Sequence, residues 1–181
     1  MKQIVRFIDK PGSYRLTVPF SKEGEEGEVL IMILASQKGE FEFDILVDHS
    51  APKTAGRVVI KGLSDNGAHL KVGGTIKIRK NCNLVNDFLE MRMLILDNNS
   101  WAEAQPRLEI ESADVKASHA AAVSRVSDEE IFYLNSRGIN KEDARAMLIE
   151  GFLREVMSAI EDEKIKETIN SKLIHYGYSK D

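Results

Sequence analysis

Of the side chains that could bind a metal, move a proton or attack a substrate, the candidates are His119 in ADVKASHAAA, Cys82 in RKNCNL and His49 in HSAPKT. A neutral imidazole nitrogen can ligate a transition metal, and the ring titrates near neutral pH, so His119 could do either kind of chemistry. Cys82 is the only cysteine, so it makes no disulfide within the chain. Its spacing to His49 and His119 matches no metal-site pattern. His49 opens a proline-containing turn and reads as a histidine that shapes that turn, while His69 reads as a surface residue. The chain has no glycine-rich phosphate loop, no HExxH and no G-x-S-x-G, and Gly73-Gly74 reads as an ordinary turn. These absences predict a protein that is not an enzyme and has no metal site of its own.

The elements that must position these residues meet in 106–152, where a strand-rich body passes into a helical tail. Leu108, Ile110 and Val115 stand between acidic and small residues as half-buried strands require, and extended chain is expected to about residue 126. Ser127-Asp-Glu-Glu130 then has the form of a capping box, followed by a short helix through Ile131, Phe132 and Leu134. Arg137 stands near the negative end of that helix, and Gly138 can take the left-handed stop conformation. Asn140 starts a second helix over 141–160, with Ala144, Met147, Leu148, Phe152 and Val156 at helical spacing. A third, over 161–175, uses Ile165, Ile169 and Leu173 on one stripe, pairs Glu161 with Lys164, and ends before Gly177.

Upstream, residues 1–20 read as a hairpin: Ile4, Phe7 and Ile8 precede the Pro11-Gly12 turn, and Tyr14, Leu16 and Val18 alternate after it. Residues 21–28 form a polar acidic loop. The apolar run 29–34 and the alternating Phe41, Phe43, Ile45 and Val47 read as a second strand pair. Short strands recur at 57–60, 68–72, 75–78, 88–96 and 107–110, separated by turn residues. This pattern supports an all-β body, either a sandwich or a solenoid, and the strand spacing fits both. The expected division is a β core over 1–126 and a helical region over 127–181.

The 181 residues can bury a real core but leave no room for a second enzyme domain. Lys and Arg number 25 against 29 Asp and Glu, for a net charge of −4, and no basic block exceeds two residues. That balance argues against nucleic acid as a partner. No stretch approaches membrane-spanning length, charges interrupt every apolar run at the start of the chain, and a cytoplasmic protein without membrane partners is expected.

The residues at the strand-to-helix junction resemble the SufB/SufD scaffold proteins of the SUF iron-sulfur cluster assembly system, SufD in particular. The likeness lies in Pro106, Leu108 to Ile110, Ala113 to Lys116, Ser118-His119-Ala120, Phe132 to Leu134, Ser136 to Ile139, Ala144 and Met147. It is weaker over His49 to Thr54, Lys61-Gly62 and Gly74 to Ile78. The resemblance implies a right-handed parallel β-helix followed by helices, rather than a sandwich. It also implies a non-catalytic scaffold that dimerises through the end of its β-helix, with itself or with a SufB-like protein, and docks a SufC-type ATPase through its C-terminal helices. Phe132, Tyr133, Arg137, Met147 and Phe152 would then serve partner binding. His119 takes the place of a family histidine near the SufB–SufD interface, which makes it the candidate ligand for a transient, shared iron-sulfur cluster, with Cys82 a weaker one. Such clusters usually take several thiolates, so no permanent cofactor is expected. Ala117 stands where SufD proteins often carry a cysteine, and Ala120 and Ser124 where glycines are common. Family members are considerably longer, and the chain resembles their C-terminal part. An interaction module that regulates the ATPase without cluster chemistry is the alternative.

Overall fold

The computed structural model describes residues 2–176. Nine strands run β1 (Lys2–Ile8), β2 (Gly12–Phe20), β3 (Glu26–Ala35), β4 (Gly39–His49), β5 (Ala55–Ser64), β6 (Ala68–Ile78), β7 (Val85–Ile95), β8 (Trp101–Ile110) and β9 (Val115–Arg125). They are followed by helices α1 (Asp128–Asn135), α2 (Lys141–Ala159) and α3 (Glu163–Leu173). Odd-numbered strands build one sheet in the order β1-β3-β5-β7-β9, and even-numbered strands a second in the order β2-β4-β6-β8. Pairing from β1 to β8 is parallel, each strand lying on the one two places earlier in the chain. The chain is a right-handed parallel β-solenoid of about four turns with three C-terminal helices.

This topology overturns the expected N-terminal hairpin. β1 pairs with β3 and β2 with β4, so the Pro11-Gly12 turn is a corner between two sheets. A turn signal bends the chain but does not choose the strand's hydrogen-bonding partner. The second expected strand pair divides in the same way: β3 and β4 belong to different sheets. Gly73-Gly74 is likewise no turn but lies inside β6, where a Cβ on Gly74 would come within 2.8 Å of Leu89 and one on Gly73 would meet Asp44 and Arg107.

Inside the solenoid, β4 alternates as its sequence predicts, with Phe41, Phe43, Ile45 and Val47 turned to a core they share with Val29, Ile31, Ile33, Val58, Ile60, Leu70, Val72, Ile76 and Leu89. The coils differ in length: Lys2 faces Gly27, Glu26 faces Ala55, and Ala55 faces Asn86. This unevenness hides any simple repeat in the sequence. At one row of corners, Gly24, Lys53 and Leu84 all take positive φ, and their amides donate to the carbonyls of Pro52, Asn83 and Asp114 on the next coil.

The chain divides into two compact units, residues 1–123 and 124–181. Within the second, the Ser127 capping box is complete: the Glu130 amide donates to Ser127 Oγ at 3.0 Å, and the Ser127 amide to Glu130 Oε2 at 3.1 Å. Gly138 is left-handed at φ +88°, and Asn140 caps α2 by accepting from the Asp143 amide at 2.9 Å. Asp162 caps α3, so that helix begins at Glu163 rather than 161. Gly177, expected to follow its end, lies outside the described residues.

Candidate interaction surfaces

Part of the lumen-facing row of the last coil is uncovered. Ile76 and Ile78 of β6 are fully buried, and in register above them stand Leu108 and Ile110 of β8, 37% and 43% exposed. β9 repeats the pattern in the other sheet. Val115 and Ala117 still pack against the core, whereas His119, Ala121 and Val123, which follow on the same face by strand alternation, are exposed. His119 is thus an accessible imidazole on the open end of an apolar lumen, with alanines on either side of it and no thiol among its β9 neighbours.

Cys82 lies elsewhere. It occupies the corner before β7, is buried in the solenoid core, and its thiol approaches only the Lys80 carbonyl, at 3.9 Å. It packs as a small apolar residue. Among the described residues no group of three or more His, Cys, Asp or Glu side chains is placed to hold a metal ion.

The second unit carries the remaining candidates. Phe132 is 74% exposed and Tyr133 58%, both on α1, and Met147 on α2 is 49% exposed. Arg137 lies 5.1 Å from the Tyr133 ring centroid and donates from Nη2 to the phenol oxygen at 3.1 Å, fixing the ring's outer face. Beside them an open hollow of about 330 Å³ is lined by Glu129, Glu130, Tyr133, Leu134 and Leu148. Phe152 is half-buried. The α2 residues that are buried are Ala144, Ile149, Leu153, Val156 and Met157, so Met147 belongs to a different face from the one its spacing predicts. Four large or charged side chains, Phe132, Tyr133, Arg137 and Met147, therefore remain available on one small helical unit.

Two carboxylates of the solenoid are held below their usual range. Hydrogen bonds from the Arg79 guanidinium, at 2.9 and 2.7 Å, hold the Asp48 carboxyl below its usual range against the opposing effect of burial. For Asp97, burial alone would raise the value. A hydrogen bond shared with the Asp65 carboxyl, together with those donated by Ser100 and by the amides of Asn99 and Ser100, outweighs it and depresses the group strongly. Both carboxylates stiffen corners of the coil.

Residues 10–152 match the family model described as SUF system FeS cluster assembly, SufBD core domain. The chain belongs to the SufBD family. An iron-sulfur cluster assembly SufBD family protein of Mycobacterium leprae is 35% identical over 166 residues, which cover 87% of this chain and 42% of that protein. One from Staphylococcus epidermidis is 34% identical over 131 residues, covering 72% of this chain and 28% of that relative. The chain spans less than half the length of these SufBD relatives, and the matched core domain contains β9 with His119 and α1 with Phe132 and Tyr133. Those relatives are named for iron-sulfur cluster assembly. No helix among the described residues is long and apolar enough to cross a membrane.

The local sequence around His49 does not report its enclosure. That histidine, read as a turn residue, is fully buried and bonded to Thr54 and to Asp87, far away in sequence. Only the pairing of β5 with β7 brings Asp87 to it, and no local signal reports that pairing.

Proposed function

We propose that this protein is a non-catalytic scaffold component of SUF-type iron-sulfur cluster assembly, a compact SufD-like chain that dimerises through the open end of its solenoid and docks a SufC-type ATPase through its helical unit. The observation that carries the reading is the uncovered last coil. Leu108, Ile110 and Val123 offer an apolar surface that a second β-solenoid end would bury, and His119 lies on that surface. Burying apolar area of this kind drives association at roughly 25 cal/mol per Å². Phe132, Tyr133 and Met147, with Arg137 bracing the tyrosine, supply the aromatic and cationic anchors that interfaces favour. A cluster would be a passing cargo shared across the dimer end, with His119 the one ligand this chain offers there. The working compartment is the cytoplasm.

Size exclusion with light scattering, on the protein alone and mixed with the SufC-type ATPase of its own genome, tests the reading. A dimer that takes up two ATPase subunits is the expected result, and a monomer that ignores the ATPase would overturn it. The role of His119 is tested separately by complementation with His119→Ala. Unchanged cluster assembly would remove the histidine from the reading and leave the scaffold standing.

A second reading, a module that regulates the ATPase without cluster chemistry, draws on Ala117 beside His119 and on the buried state of Cys82. Iron and sulfide absent from the complex after anaerobic purification would favour it.

A further inference from the structure

The solenoid lumen is mostly apolar; Ser64 bonds the Ala68 and Trp101 carbonyls at one corner, and at another four side chains from three successive coils meet out of solvent. His49 ends β4, Thr54 precedes β5, Asp87 lies in β7, and Phe20 ends β2. Phe20 stacks on the imidazole with ring centroids 4.6 Å apart and planes 10° from parallel. Asp87 Oδ2 is 2.7 Å from His49 Nε2, and Thr54 Oγ1 is 2.7 Å from Nδ1. The Thr54 hydroxyl donates onward to the Ala51 carbonyl at 3.3 Å. Asp87 Oδ1 is also buried and has no hydrogen-bond partner among the described residues. The carboxyl group fits only because residue 56, paired with Asp87, is glycine: a Cβ there would come within 2.7 Å of it.

The connectivity is that of a hydroxyl–imidazole–carboxylate relay, but enclosure rules out a catalytic role. Thr54, His49 and Asp87 expose 0%, 0% and 1% of their surface, so no substrate reaches the hydroxyl. The hydrogens can instead be counted. Three polar contacts, from Asp87 to the ring, from the ring to Thr54 and from Thr54 to Ala51, need three hydrogens. A carboxylate beside a neutral imidazole and a threonine supplies only two. It also leaves an uncompensated negative charge shut away from water, which is costly. One further proton completes the chain and neutralises the corner. With that proton on the ring, both nitrogens donate, one to Asp87 and one to Thr54.

We propose that Thr54–His49–Asp87 is a register key: an enclosed imidazolium–carboxylate pair, roofed by Phe20 and admitted by Gly56, that permits only one stacking of the third coil on the second. Most other lumen positions in these coils are apolar and interchangeable in kind, so sliding β7 by two residues against β5 would still bury apolar side chains. It would also strand the imidazole and the carboxylate without partners. Buried polar pairs that specify register at some cost in stability have this logic.

The test uses the full chain labelled with ¹⁵N-histidine. Both ring nitrogens of His49 are expected to carry hydrogens at neutral pH; a single ring N–H would overturn the charged pair. For the register role, Asp87→Asn is compared with the double variant His49→Leu and Asp87→Leu. The single change is expected to lower the unfolding midpoint. The double variant should recover much of that loss while its backbone amide spectrum shows more than one set of peaks. A single set, as sharp as that of the unaltered protein, would overturn the key. Should either variant fail to fold, the wild-type imidazole spectrum still decides the charged pair.

Discussion

Two histidines of this solenoid, His49 and His119, show how much the fold does with the same side chain. His49 lies in the closed second coil, stacked under Phe20, bonded at both nitrogens and out of reach of solvent. His119 lies on the last strand, on a lumen face with no further coil above it, and is exposed. Neither the residue type nor its immediate neighbours predicts the difference, because HSAPKT and SHAA are both short polar-to-small runs. The number of coils stacked on each side does. Coils stacked on both sides enclose a side chain fully, so the middle of the solenoid is where polar groups must satisfy one another, whereas on the last coil side chains such as Leu108 and His119 stay exposed.

The sharpest way to break that comparison is to truncate apolar lumen residues at both places. Phe41→Ala in the closed region should cost about 3–5 kcal/mol, measured by urea denaturation, because it opens a cavity among fully enclosed neighbours. Leu108→Ala at the open end should cost under about 1 kcal/mol, since the side chain is already partly in water, yet it should weaken self-association in light scattering. Equal losses of stability at the two positions would mean that the last coil is not open in solution. Removing the cap with Ser127→Ala should cost about 1 kcal/mol and act on α1. It is expected to weaken ATPase capture while leaving the amide protection of β4 to β7 unchanged, as hydrogen exchange would read.

At the corners the effect has the opposite sign. Leu84→Gly should stabilise the protein by about 1 kcal/mol, because φ +60° strains a side chain that is exposed in any case. The last test concerns a slope. The folded Asp97 carboxyl titrates below its unfolded value of about 4, so its contribution is present above that pH and is lost as the pH falls through the folded value. Asp97→Asn should therefore flatten the acid limb of a stability–pH curve, read by thermal unfolding. A limb as steep as in the unaltered protein would assign acid sensitivity to other groups.

Much of the helical unit is legible in the sequence because its signals are local. Ser127 and Glu130 are three residues apart and find each other within one turn, as do Asn140 and Asp143. Gly138 stops α1 through its own backbone conformation. The face of α2 is less legible. Ala144 and Val156 are buried as their spacing predicts, but Met147 is exposed and Ile149 buried, since which flank of a broad apolar stripe turns inward depends on what packs against it. In the β body, alternation marks Phe41 to Val47 as a one-sided strand, whereas the pairing of β1 with β3 leaves no local trace and a hairpin reads equally well from the turn residues.

The chain by itself therefore determined its short strands, its corner residues, its helix caps and the junction at which His119 and Phe132 stand. These depend on interactions within a few residues, where chain entropy is cheap and side-chain chemistry decides. Tertiary structure alone decided which strands stack, that Asp87 meets His49 over Gly56, that the Asp44–Arg107 ion pair crosses Gly73, and that the lumen is closed at His49 but open at His119. Those outcomes rest on contacts 25 or more residues apart, and only the summed burial of whole coils selects among the pairings that the local pattern allows.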